Sequence, residues 1–200
     1  MCSPNNPTGA IVTDADFARF MEAVPKQVLV VVDAAYYEFA TDEAHMDALK
    51  YFDGVRPLVV LRTFSKAYSL AGVRCGYGFA PKPLIQAVSK VREPFNSNSV
   101  GQAGALVSLG EAEELKRRMT INSAGKKRLY QCFDELELDY LSSEANFVYV
   151  NVPDVEETYE ALLRLGIIVR FFPHADALRV GIGDEEGVDA TIAAFKALFT

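Results

Sequence analysis

Two hundred residues, half of them apolar and 24% charged, exclude a disordered or collagen-like chain and leave room for two small domains. A net charge of −7 argues against a nucleic-acid partner or an anionic membrane surface, whose binders are basic. No apolar run approaches the roughly 20 residues of a membrane helix, no signal peptide is expected before the first polar loop, and Cys2, Cys75 and Cys132 with two histidines suit neither a disulfide framework nor a metal site. A cytoplasmic protein is expected.

The chain opens on a dense turn signal, Met1-Cys2-Ser3-Pro4-Asn5-Asn6-Pro7-Thr8-Gly9. Thr13 and Asp16 resemble a capping box, with Phe17, Phe20, Met21 and Val24 following at helical spacing. Val28 to Val32 reads as a strand buried on both faces, Leu58 to Leu61 as a second, and Gly76 to Ala80 as a third. Strand, long crossover, strand predicts an α/β fold with a mostly parallel sheet. Beyond Gly110 the character changes. Glu111 to Glu137 reads as one or two long helices with an apolar stripe of Leu129, Cys132, Phe133 and Leu136. Ala145 to Val152 is a strand, Asp154 with Glu157 caps a helix that stops at Gly166, and Ile167 to Arg170 and Leu178 to Ile182 are further strands. Val188, Ile192, Phe195 and Phe199 mark a closing helix. Two domains are expected, over residues 1–111 and an α+β unit over 112–200.

Lys66 is the only charge between Arg62 and Arg74, set among hydroxyl, small and apolar groups. A lysine desolvated in this way becomes a nucleophile toward carbonyls. Thr63, Ser65 and Arg74 around it suit a phosphate cradle; a surface lysine on a Ser-rich loop is the plainer alternative. Asp33 follows the apolar run 28–32, at the carboxyl end of a parallel strand, where open α/β sheets bind ligands. Tyr36 could reach the same crevice. The alternative for Asp33 is a residue that caps the next turn. Gly76-Tyr77-Gly78 lacks the third glycine of a dinucleotide fingerprint, and His174 reads as loop structure.

Asn6-Pro7-Thr8-Gly9, Asp33 with Tyr36, Thr63-Phe64-Ser65-Lys66 with Arg74, and Leu178-Arg179-Val180-Gly181 together resemble the fold-type I aminotransferases, which use pyridoxal 5′-phosphate. Gly166-Ile167-Ile168-Val169-Arg170 and Ala145-Asn146-Phe147 look most like the histidinol-phosphate aminotransferases within that family. Each motif alone is weak, and their order and spacing make the set specific.

The resemblance implies that residues 1–111 are part of a large cofactor-binding domain and 112–200 a smaller C-terminal one. It implies that Lys66 holds the cofactor aldehyde and moves the substrate proton, and that Asp33 pairs with the pyridine nitrogen. Asn6 and Tyr36 would bond the ring 3′ oxygen, and Thr63, Ser65 and Arg74 the phosphate. Arg179 would clamp the substrate α-carboxylate, and Arg170 would lie near a second substrate anion. A small-molecule amino donor, a 2-oxo acid and a homodimer follow from the same resemblance. Relatives carry a large N-terminal portion before Asn-Pro-Thr-Gly, so a glycine-rich phosphate turn and a ring-stacking aromatic are expected outside these 200 residues. Either the chain is a piece of a longer protein or another chain completes it. Competing expectations are a decarboxylase or aromatic aminotransferase of the same fold, an inert interaction module, and a nicotinamide-binding enzyme indifferent to Lys66.

Overall fold

The structure, a computed structural model, describes residues 1–199. It divides into two compact units, Met1–Pro4 with Ile11–Lys116, and Asn5–Ala10 with Arg117–Thr200.

In the first unit, Thr13 caps helix α1 (Asp14–Ala23) as its sequence promises: Asp16 N–H donates to Thr13 Oγ1 at 3.1 Å. Strand β1 (Val30–Asp33) runs parallel to β2 (Leu58–Thr63), and β3 (Gly76–Phe79) lies antiparallel on the far side of β2. Val30, Val32, Leu58 and Val60 point to one face, where Phe17 and Met21 of α1 complete a small core. The expectation of a strand buried on both faces is corrected here. Val31 and Leu61 are exposed, because α1 covers only one side of the sheet. Val28 and Leu29 precede the strand, with Val28 N–H turned back onto the Pro25 carbonyl.

Residues 81–110 carry two helices beyond those expected: α2 (Lys82–Val91), entered through Pro81, and α3 (Ser99–Gly110), capped by Asn98. They leave Val91, Phe95 and Leu106 at 82%, 99% and 75% exposure. Apolar side chains this exposed bury nothing within the described residues.

Helix α4 (Ala112–Glu135) is a single helix. The second unit holds a four-stranded antiparallel sheet in the order β4-β5-β7-β6, formed by β4 (Tyr140–Leu141), β5 (Phe147–Asn151), β6 (Arg170–Phe172) and β7 (Ala177–Gly181). Leu129 and Phe133 of α4, Leu162 of α5 (Val155–Arg164) and Phe195 of α6 (Glu185–Phe199) close a core with Val148, Val150 and Leu178 of the sheet. Two local expectations change. Asp154 precedes α5 in a left-handed conformation (φ 42°) and its side chain caps nothing. The strand expected over 167–170 begins only at Arg170, since Ile167 N–H is used on the Leu162 carbonyl, closing the helix beyond Gly166 (φ 79°). Among the described residues no helix is long and apolar enough to cross a membrane.

Candidate active site

Beyond the carboxyl ends of β1 and β2 the backbone of the first unit turns sharply twice. After β1, Asp33 Oδ1 accepts from Ala35 N–H at 3.0 Å, and a short 3-10 turn (Tyr37–Phe39) follows Tyr36. After β2, Thr63 Oγ1 accepts from Ser65 N–H at 3.0 Å, so the loop to Lys66 starts on a hydroxyl-braced turn. A third turn ends at Arg74, whose backbone is left-handed (φ 57°) and whose Nη1 donates to the Ala71 carbonyl at 2.8 Å.

These turns bring Asp33, Thr63, Ser65, Lys66 and Arg74 to the wall of one cavity of about 320 Å³, with Ala35, Leu61 and Arg62. Residues up to 41 positions apart in sequence therefore share one space, at the end of a parallel strand pair. Tyr36 is buried, and its ring centroid lies 5.3 Å from Lys66 Nζ, within cation–π range. Lys66, Asp33 and Arg74 are themselves exposed, which corrects the expectation of a water-poor lysine: the described side chains wall one side of the amine and leave the other open. Asp33 also performs the plainer role of capping its turn.

Arg62, in the sequence only a flanking charge of Lys66, is the most enclosed cation near the cavity. Its side chain is 7% exposed, and its guanidinium stacks on Tyr37 with Cζ 3.4 Å from the ring centroid. Nη1 faces Glu38 Oε1 at 3.7 Å and Nη2 bonds Asp47 Oδ1 at 3.4 Å. Burial pushes the Glu38 carboxyl up from its ordinary value, against the pull of a bond to its own backbone and of Arg62. A lone charge closing the apolar run Leu58–Leu61 was the available signal.

Asn6, Arg170 and Arg179 lie in the second unit. Arg170 and Arg179 stand directly opposite each other on β6 and β7. Arg179 donates through Nη1 to Asn6 Oδ1, and its Cζ sits 4.9 Å from the Phe147 ring centroid. Like charges in register repel. A pair so placed is suited to sharing or flanking an anion. A second cavity of about 210 Å³ in this unit is lined by Ile121, Ala124 and Val188 with Arg128 and Asp184 at its polar side. Arg128 is paired with Asp189 and Asp184 caps α6, so no reactive side chain is presented there.

The sequence pattern described as aminotransferase class I and II matches residues 1–195. The chain belongs to the class I and II aminotransferases. Among curated relatives, the histidinol-phosphate aminotransferase of Bacillus licheniformis is 43% identical over 192 residues, covering 93% of this chain and 53% of that protein. That of Moorella thermoacetica is 41% identical, covering 98% of this chain and 52% of its own length. The chain thus spans about half the length of the curated relatives it matches. A solved structure of histidinol-phosphate aminotransferase from Sinorhizobium meliloti, in complex with pyridoxal 5′-phosphate, superposes with a TM-score of 0.87 at 27% identity, over 99% of this chain and 57% of that one. The α/β architecture is therefore that of the aminotransferase family.

Proposed function

We propose that the cavity at the ends of β1 and β2 holds pyridoxal 5′-phosphate, and that the whole protein is a histidinol-phosphate:2-oxoglutarate aminotransferase of histidine biosynthesis. The observation that carries the reading is the convergence of the Lys66 amine, the Asp33 carboxylate, the Thr63 and Ser65 hydroxyls and the Arg74 guanidinium on a single cavity. That donor set fits the cofactor in chemistry and the cavity fits it in size. Thr63, Ser65 and Arg74 supply donors for a phosphate, and a planar guanidinium can bind it bidentately. The Asp33 carboxylate suits a protonated ring nitrogen, and the Tyr36 hydroxyl a ring oxygen. The cofactor, when bound, supplies an electron sink for charge at the substrate Cα. Lys66 Nζ would provide the covalent anchor and, once a substrate amine has displaced it, would take and return the proton at that carbon.

In the second unit, the facing pair Arg170 and Arg179 is proposed to take the anions of the two substrates: a carboxylate on glutamate and a phosphate on histidinol phosphate. Asn6, joined to Arg179, is proposed to orient that guanidinium as well as to serve the cofactor oxygen. The first unit is read as the partial large domain expected over 1–111, and the second as the small domain expected over 112–200. Exposed apolar side chains on α2 and α3 support a homodimer of the whole protein, and three free cysteines support a cytoplasmic location.

Addition of pyridoxal 5′-phosphate to the chain is expected to produce a visible absorption band. Borohydride reduction should fix the label on Lys66, and Lys66→Ala should abolish the band. Reduction onto another lysine overturns the assignment. The exposure of Lys66 and Asp33 favours one second reading, an inert folded module, which predicts a chain that stays colourless. For the substrate, a full-length protein that moves no amino group from glutamate to imidazole-acetol phosphate removes histidinol phosphate from the proposal.

A further inference from the structure

A buried ion pair contributes little net stability, because desolvation offsets most of the Coulomb attraction. The Arg62 cluster is a strong instance. Its side chain and that of Glu38 are 7% and 10% exposed, and Arg62 Nε and Glu38 Oε2 have no hydrogen-bond partner. Unsatisfied buried polar atoms weaken a fold further. What the cluster does achieve is geometric. Arg62 sits in β2, four residues before Lys66 on the same strand-to-loop segment. Its guanidinium holds Tyr37 by stacking and Glu38 by charge, and those are the two residues that follow Tyr36. Asp47, from the next short helical turn, grips the opposite Nη. On the neighbouring strand β3, Tyr77 stands in register opposite Arg62, and the rings of Tyr77 and Tyr68 both pack at a tilt on Phe64. One side of the turn after β1 is thus clamped to β2, while its other side presents the Tyr36 ring to Lys66 Nζ.

We infer that Arg62 is a positioning residue, a clamp that ties the Tyr36–Glu38 turn to β2 and so sets the Tyr36 ring against the Lys66 amine. This deepens the proposed cofactor site and rests on that reading for its functional meaning, but the clamp itself is testable without cofactor. The ring face attracts and shields the ammonium. Loosening the turn should free the already exposed ammonium from that ring and raise the reactivity of its amine.

The test is residue-resolved reductive methylation of the full chain, read by mass spectrometry with Lys50 and Lys82 as internal references. Arg62→Gln is expected to speed methylation of Lys66 by about two- to fivefold relative to those references, the range set by a cation–π contact at an exposed site. Tyr36→Leu should give the same acceleration, and Arg62→Gln in the Tyr36→Leu background should add nothing. Glu38→Gln, which keeps the guanidinium and removes one anchor, should act in the same direction by about twofold, and serves if Arg62→Gln does not fold. The inference is overturned if Arg62→Gln or Glu38→Gln lowers the melting temperature while Lys66 reacts at the parental rate. It is equally overturned if the effect of Arg62→Gln persists undiminished without the Tyr36 ring. A chain that never binds cofactor sinks the proposed function and leaves this result standing.

Discussion

The two units of this chain solve the same problem to different degrees. In the second, a four-stranded sheet and helices α4, α5 and α6 bury one continuous core in which Leu129, Phe133, Leu162, Leu178 and Phe195 are fully enclosed. In the first, a three-stranded sheet is covered on one face by α1, while Val31 and Leu61 on the other face, and Val91, Phe95 and Leu106 in the helical region, stay in water. The residues proposed for catalysis gather in the unit that is less enclosed. Chemistry needs an accessible crevice at strand ends, and a crevice needs strands that stop without a covering layer.

The contrast can be broken first by truncating a large side chain on each side of it. Phe133→Ala should destabilise the second unit by about 3–5 kcal/mol in a urea titration, whereas Phe95→Ser should change stability by no more than about 0.5 kcal/mol. Equal losses would mean that Phe95 is covered in solution. Next, Gly9 sits at φ 75°, and a Cβ there would lie 2.0 Å from Ser143 Oγ and 2.8 Å from its Cα. Gly9→Ala should therefore cost about 2–4 kcal/mol through strain and overpacking, and loosen the loop that carries Asn6. Retained stability would show that residues 5–10 are not held by the second unit.

A pH series sharpens the comparison in the first unit. Burial raises the folded-state pKa of Glu38 above 4.5, so between 4.5 and that higher value the folded chain binds more protons than the unfolded one. Stability relative to Glu38→Gln should therefore fall as pH rises through this window, with a slope of at most about 1.4 kcal/mol per pH unit. A flat difference would place Glu38 in water. The smallest expected effect is local: Thr13→Ala removes the cap of α1 and should cost about 1 kcal/mol in thermal unfolding.

The cap at Thr13, the strand at Leu58, the long α4 and the closing helix were all legible, because each rests on local chemistry or strong periodicity. Helices α2 and α3 were not. The apolar residues of α3 show little helical periodicity, and those of α2 (Leu84, Ile85, Val88 and Val91) fall on one stripe that buries nothing within the chain itself. The capping role of Asp154 failed because that residue takes a left-handed backbone, outside the extended conformation of a capping residue, and its side chain makes no cap bond. Within the site, Asp33, Thr63, Ser65, Lys66 and Arg74 could be named from residue type and spacing, whereas Arg62 could not, since a charged residue at a strand end usually faces solvent.

The residues alone settle which side chains carry charge, hydroxyl or amine near each strand end, and where α1, α4 and α6 run. Those are local properties, written in a few neighbouring residues. Only the tertiary structure decided that the turn after β1 and the turn after β2 open onto the same cavity, that Arg170 and Arg179 face each other across two strands, and that Lys66 remains open to water. Those outcomes depend on strand register and on which faces find cover, and both are settled by packing between segments far apart in the chain.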